Sequence, residues 1–238
     1  MLQKTKAIVI NSIKYSDTSL IVNCYTKEYG IKTYMLKGIL KSRKGNLKKA
    51  YFQPLTQLQI VAYHNNKGNL NSVKEAQISY FYQSLHSNII KQSLVLFLSE
   101  ILNAVLKEEE SNSILFTYLE TALIWLDTHD KIANFHLFFL LNLTKYLGFY
   151  PETTHQTDYF DMLEGKFVTN PTSQYYIKKP QITHFKTLLG TNFDALPNIH
   201  LTALQRQELL DLLLQYISLH LQTFKSPKSL VVLKELFR

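Results

Sequence analysis

The hydrophobic pattern changes period once along the chain, near residue 78, and that change limits the folds open to it. Before it, apolar residues come in short runs separated by polar turns. "KAIVINSI" (6–13) and "LIVNCYT" (20–26) flank the turn Ser16-Asp17-Thr18, and "IKTYMLK" (31–37) follows Gly30. "LTQLQIVAYH" (55–64) alternates, with Leu58, Ile60 and Ala62 on one face and Gln57, Gln59, Val61 and Tyr63 on the other. The turn "NNKG" (65–68) leads to a fifth short segment, "NLNSVKEA" (69–76). Five short strands with turn signals between them predict a small antiparallel sheet or barrel.

After residue 78 the period is helical. "IIKQSLVLFLSEILNAVLKEEE" (89–110), "SILFTYLETALIWLDTH" (113–129) and "DKIANFHLFFLLNLTKYLGFYP" (130–151) predict three helices, the third capped by Asp130 and ended by Gly148 and Pro151. Residues 152–200 read as an irregular insertion with one short helix. "LTALQRQELLDLLLQYISLHLQTF" (201–224) predicts a strong helix, with Thr202 and Gln205 at capping-box spacing. "SPKSLVVLKELF" (226–237) predicts a last one, with Ser226 at the cap and Pro227 at the first helical position. The chain is therefore expected to be α+β with two domains, a β-rich module over 1–78 and a helical domain over 79–238.

Charge is segregated along the same division. Residues 1–74 hold 13 of the 26 Lys and Arg against two acids, Asp17 and Glu28, while the remainder holds 13 basic residues and 16 acids. From Tyr29 through Lys74 there is no acid at all. The densest part, "LKGILKSRKGNLKKAYFQP" (36–54), carries Lys37, Lys41, Arg43, Lys44, Lys48 and Lys49 in the longest gap between strands. Tyr15, Tyr25, Tyr29, Tyr34, Tyr51, Phe52 and Tyr63 lie among the lysines of the module. A positive groove with aromatic faces is the physical recipe for binding single-stranded nucleic acid. Lys37, Lys41, Arg43, Lys44, Lys48 and Lys49 are the expected phosphate contacts, and Tyr34 and Tyr51 the expected stacking groups. Solubility alone needs net charge, but not one sign gathered on one module.

Other chemistry finds little support. The seven glycines form neither a phosphate-binding loop nor a dinucleotide fingerprint. The lone Cys24 rules out an intramolecular disulfide and a multi-cysteine zinc site. His129 and His136 share a helix face but are two ligands only. Asp158, Asp161 and Glu164 do not follow a calcium-loop pattern and read as a solvated acidic turn. His220 reads as a partly buried, hydrogen-bonded histidine. The most apolar stretch (135–149) is broken by Asn142 and Lys145 and falls short of the roughly 20 residues of a membrane span. The first residues lack the small-residue cleavage site of a signal peptide. No catalytic, metal-binding or small-molecule site, no cofactor and no membrane contact is expected.

Several short features, in order, resemble the RecO family of bacterial recombination mediators: Ala7 to Ile10, Tyr15 to Thr18, Thr26 with Gly30, Lys37-Gly38, Arg43-Lys44, Gln53-Pro54, and "LGFYP" at 147–151. The resemblance covers nearly the whole chain. It implies an oligonucleotide-binding (OB) barrel of five strands followed by an all-helical C-terminal domain, and no catalysed bond chemistry. It further implies binding of single- and double-stranded DNA, annealing of complementary strands, and help in loading recombinase onto DNA coated with single-strand-binding protein. The implied partners are RecR and the C-terminal tail of the single-strand-binding protein, in the bacterial cytoplasm at the nucleoid. Many members carry a four-cysteine zinc site after the "GFxP" segment; 152–176 here has no cysteine, so no structural zinc is expected. The alternative is an RNA-binding or translation-associated protein with the same barrel, since phosphate and stacking contacts do not read the 2′-hydroxyl. An enzyme with its site in 152–200, or peripheral membrane binding through the lysines, has less support.

Overall fold

The β-rich third of the chain closes on itself. Strands β1 (Leu2–Lys14), β2 (Leu20–Thr26), β3 (Gly30–Leu36), β4 (Gln57–Tyr63) and β5 (Leu70–Ile78) form a closed barrel in the order β1-β2-β3-β5-β4. In this computed structural model, residues 2–41, 47–64, 70–107, 110–155 and 157–237 are described. Neighbouring strands are antiparallel, except that β3 and β5 run parallel and pair at Thr33↔Leu70 and Tyr34↔Asn71. This is the five-stranded OB architecture. The inner face follows the alternation in the sequence: Val22, Cys24, Leu36, Leu58 and Ile60 meet in the core, and Tyr34 lies among them. At the β2–β3 turn Gly30 has φ +61°, and the Thr26 hydroxyl donates to the Gly30 carbonyl (2.8 Å). A side chain at position 30 would strain that turn.

Two helices, α1 (Ile89–Val105) and α2 (Ser113–Thr128), belong to the same compact unit as the barrel, Met1–Thr128. Asn88 caps α1 by accepting from the N–H groups of Ile90 and Lys91. Tyr25 of β2 stacks on Phe116 (6.1 Å), and Gln57 of β4 donates to the Glu120 carbonyl (3.2 Å). The connector from barrel to α1 is clasped by a buried carboxylate. Asp127 accepts from the N–H groups of Gln83 (2.9 Å), Ser84 (2.8 Å) and Leu85 (2.8 Å). Lys91, only 2% exposed, donates to the Asp127 carbonyl and the Ser84 hydroxyl, both at 2.7 Å. Burial pushes the Asp127 carboxyl up, but its backbone and hydroxyl donors outweigh that and hold it below its ordinary value.

The second unit, His129–Arg238, contains α3 (Phe135–Tyr146), α4 (Gln181–Leu189), α5 (Ala203–His220) and α6 (Leu230–Leu236). The α5 capping box forms as its spacing predicts. Two other starts differ. Residues 130–135 make turns, with the Ile132 N–H on the Asp130 carbonyl and the Phe135 N–H on that of Ile132, so α3 begins at Phe135 rather than at Asp130. Similarly, α6 starts at Leu230 after Ser229, not at Pro227. Residues 152–200, expected to be irregular, hold the short helix α4 and also a three-stranded sheet of order β7-β6-β8, from β6 (Tyr159–Asp161), β7 (Lys166–Val168) and β8 (Tyr176–Ile177). The helical unit is thus not purely helical. Strands of two or three residues carry no readable period.

That sheet lies in the cysteine-free segment 152–200 and is held by a buried carboxylate and packed rings. Asp161, read from sequence as part of a solvated turn, is 1% exposed. It accepts from the N–H groups of Leu163 (2.9 Å) and Glu164 (3.1 Å) and from the Ser173 hydroxyl (3.3 Å). Phe160 packs against Phe167, Phe185 and Tyr216 at ring distances of 5.1, 4.9 and 5.7 Å. His220 stacks on Phe149 (4.7 Å) with its Nε2 2.9 Å from the Met162 carbonyl. Gly165, at φ +66°, lies so close to this cluster that a Cβ would stand 2.9 Å from the Tyr216 hydroxyl. Among the described residues no group of three or more His, Cys, Asp and Glu could hold a metal ion, and no helix is long and apolar enough to cross a membrane.

Candidate nucleic-acid interface

The β3–β4 connection is a long excursion with two anchored arms. In the first, Ile39 is buried in the barrel core and Leu40 packs against it. The Leu40 N–H donates to the Thr18 carbonyl (3.0 Å), which ties this arm to the β1–β2 turn. In the second, a short 3-10 helix (Lys49–Phe52) drives Phe52 into the core. The Leu55 N–H then donates to the Val9 carbonyl (2.7 Å) and the Val9 N–H to the Thr56 carbonyl (3.0 Å). Tyr82 donates to the Leu55 carbonyl (3.0 Å), and His86 Nε2 lies 3.0 Å from the Pro54 carbonyl. Tyr82 and His86 have no sequence signal for this role. They lie in a connector whose path is visible only once the barrel and helices are placed.

Apolar residues of both arms point inward, into the barrel core. Lys37, Lys41, Lys48 and Lys49 are all exposed. Elsewhere in this unit Lys6 pairs with Glu120 (2.8 Å), Lys14 with Asp17 (3.4 Å) and Lys74 with Glu75 (3.7 Å). The four lysines of the connection make no ion pair with an acid among the described residues, and the acid-free window leaves them no local partner. Arg43 and Lys44 fall outside the described residues.

The aromatic part of the sequence-based site is redistributed. Tyr34 is 0% exposed, and its hydroxyl is 2.9 Å from His64 Nε2. A ring on the inner face of a barrel has no free face for a base, so Tyr34 belongs to the core and not to the interface. Burial pushes its phenol well above the usual range. Tyr51 is half-buried, packs against the core cluster and lies under the Lys48 ammonium (5.8 Å). The four described lysines are thus exposed on one connection, whereas Tyr34 lies in the core. The alternation with Leu36 in "IKTYMLK" is the signal that places Tyr34 inside.

The chain has clear relatives. The family descriptions that match are Recombination protein O N terminal over residues 1–82 and Recombination protein O C terminal over residues 86–230. The chain is 49% identical over 238 residues to the DNA repair protein RecO of Christiangramia forsetii, covering 100% of both chains. It is 48% identical to that of Flavobacterium psychrophilum, covering 98% of both, and 36% identical to that of Bacteroides fragilis, covering 100% of both.

Proposed function

The chain belongs to the RecO family of DNA repair and recombination proteins, and on that premise we propose that it works as a non-enzymatic recombination mediator. It binds single- and double-stranded DNA, anneals complementary strands and helps load recombinase onto DNA coated with single-strand-binding protein. The observation that carries this reading is the row of exposed lysines, without acidic partners among the described residues, on a connection anchored to an OB barrel. Two strands approach each other only if their phosphate repulsion is lowered. Lysines on long side chains lower it by neutralising phosphate charge, with release of condensed counterions favouring the contact, and without demanding a fixed register. Lys37, Lys41, Lys48 and Lys49, together with Arg43 and Lys44, supply these contacts; Tyr51 serves by supporting Lys48. RecR and the tail of the single-strand-binding protein are the proposed protein partners, docking on the part of the chain beyond the barrel, 79–238. The sequence supports the absence of catalysis, since it holds no nucleophile–base or metal motif.

The test is annealing of complementary oligonucleotides precoated with the cognate single-strand-binding protein, with and without this chain. Acceleration by the chain is expected; an unchanged rate overturns the mediator reading. Competition between DNA and RNA of equal length separates this from an RNA-binding role, for which RNA would win.

A further inference from the structure

An OB barrel binds oligonucleotides on the outer face of its second and third strands, and sequence-tolerant members grip bases there by stacking them on aromatic rings. Cross-strand partners share a face, so the outer surface of the β1–β2–β3 meander can be read from its register. One row is Ile13, Ile21 and Met35; the next is Asn11, Asn23 and Thr33. Thr33 donates its hydroxyl to Asn23 Oδ1 (2.8 Å). A third, Ile8, Tyr25 and Ile31, is covered where Tyr25, 3% exposed, packs on Phe116. The part of the platform left open is aliphatic and amide, with no ring in it.

The other rings of the module do not take that place. Residues 1–78 hold seven aromatic side chains, and none lies in 42–46 or 65–69. Tyr25, Tyr34 and Phe52 are buried. Tyr29 is held edge-on to His64 (4.6 Å) with its hydroxyl on Gln3 (2.8 Å). Tyr51 is flanked by the core and Lys48. Only Tyr15 (63% exposed) and Tyr63 (49%) stand out into solvent. Tyr15 follows the end of β1 and Tyr63 pairs with Leu2 at its start, so they lie on the order of 40 Å apart along the strand. Two rings at opposite ends of a strand do not make a platform for successive bases.

We infer that the barrel module grips nucleic acid by its sugar–phosphate backbone alone and leaves the bases of a single strand bound there unstacked on protein and free to pair. This rests on the DNA-binding reading and sharpens it. A stacked strand must be peeled from its rings before it can anneal, whereas a strand held through its phosphates presents its Watson–Crick edges while bound. The ligand class is a flexible polyphosphate strand, irrespective of base identity.

The experiment compares a single-stranded oligonucleotide with an abasic strand of the same length and charge, by fluorescence anisotropy at two salt concentrations with the full chain. Affinities within about threefold and parallel salt slopes are expected, with Tyr15→Ala and Tyr63→Ala each within about twofold of wild type. Bound thymines should stay as reactive towards permanganate as in free DNA. A stacking platform would cost the abasic strand roughly tenfold or more for each lost stack. Such a loss, or protection of the thymines, overturns the inference while leaving DNA binding intact. Failure of both strands to bind would overturn the DNA-binding reading itself.

Discussion

The barrel module and the His129–Arg238 unit use the same residue types in opposite ways. In the barrel, rings are mostly enclosed or engaged, and the lysines of the β3–β4 connection face water without an acid beside them among the described residues. In the second unit, rings are gathered into the network around Phe160 and Tyr216, and surface lysines meet acids, as in Lys166–Glu164 (2.6 Å), Lys179–Asp158 (3.5 Å) and Lys234–Asp211 (2.6 Å). Acidic neighbours neutralise the lysines of the second unit, and the lysines of the connection are left open where a polyanion is expected. Aromatic content by itself does not mark a nucleic-acid surface; its burial decides.

The sharpest way to test that contrast is to damage each side separately. Phe160→Ala removes the centre of the aromatic network and should cost about 3–5 kcal/mol in denaturant unfolding, with DNA affinity of the folded protein unchanged. A parallel loss of affinity would show that the second unit also contributes to DNA binding. Lys41→Glu/Arg43→Glu/Lys44→Glu should weaken single-strand binding by roughly 100-fold, about 2.7 kcal/mol, with unfolding unchanged. Its salt slope should fall by roughly 0.7 for each lost phosphate contact. Wild-type affinity at low salt would remove this connection from the interface.

Smaller effects refine the picture. Asp127→Asn should cost about 2 kcal/mol at neutral pH, because a neutral amide replaces a carboxylate that gathers three backbone N–H groups. The Asp127 carboxyl is held below its ordinary value, so its contribution is present above the unfolded value of about 3.9 and is lost as pH falls through the folded one. Unfolding curves of the variant should therefore be flatter with pH below about 4. Lys179→Ala, which breaks a pair exposed on both sides, should shift stability by less than about 0.5 kcal/mol. A larger loss would mean that the ion pairs of the second unit hold its structure as well as neutralise its surface.

Much of this was legible before any coordinates. Period alone located β2 at its observed bounds and the inner face of β4, because strands of seven residues repeat often enough to show alternation. Charge accounting found the exposed lysines, since an acid-free window leaves no local partner. The misread points are those where long-range packing decides. Asp130 and Ser226 are good caps locally, but the chain turns before each helix starts. Asp161 looked like surface because its spacing matched no ligand pattern; its burial depends on a turn and a strand pairing that short segments do not announce. The lysines around Tyr34 suggest an interface, but its parity with Leu36 places it in the core.

The parallel join between β3 and β5 gives the barrel a weak seam. Among the described residues the β2–β3 and β1–β4 ladders each align seven residue pairs, whereas the seam aligns Thr33↔Leu70 and Tyr34↔Asn71, helped by the Asn71 side chain on the Thr33 carbonyl (3.1 Å). With so few pairs to hold it, it is expected to open early in sub-global fluctuations. When it parts, the cylinder becomes a curled sheet with two unpaired edges, an exposure that closed barrels otherwise avoid. Amide exchange should therefore be fastest in the barrel at this seam, and the module's kinetic lifetime should depend more on Asn71 than on any single residue of the inner face.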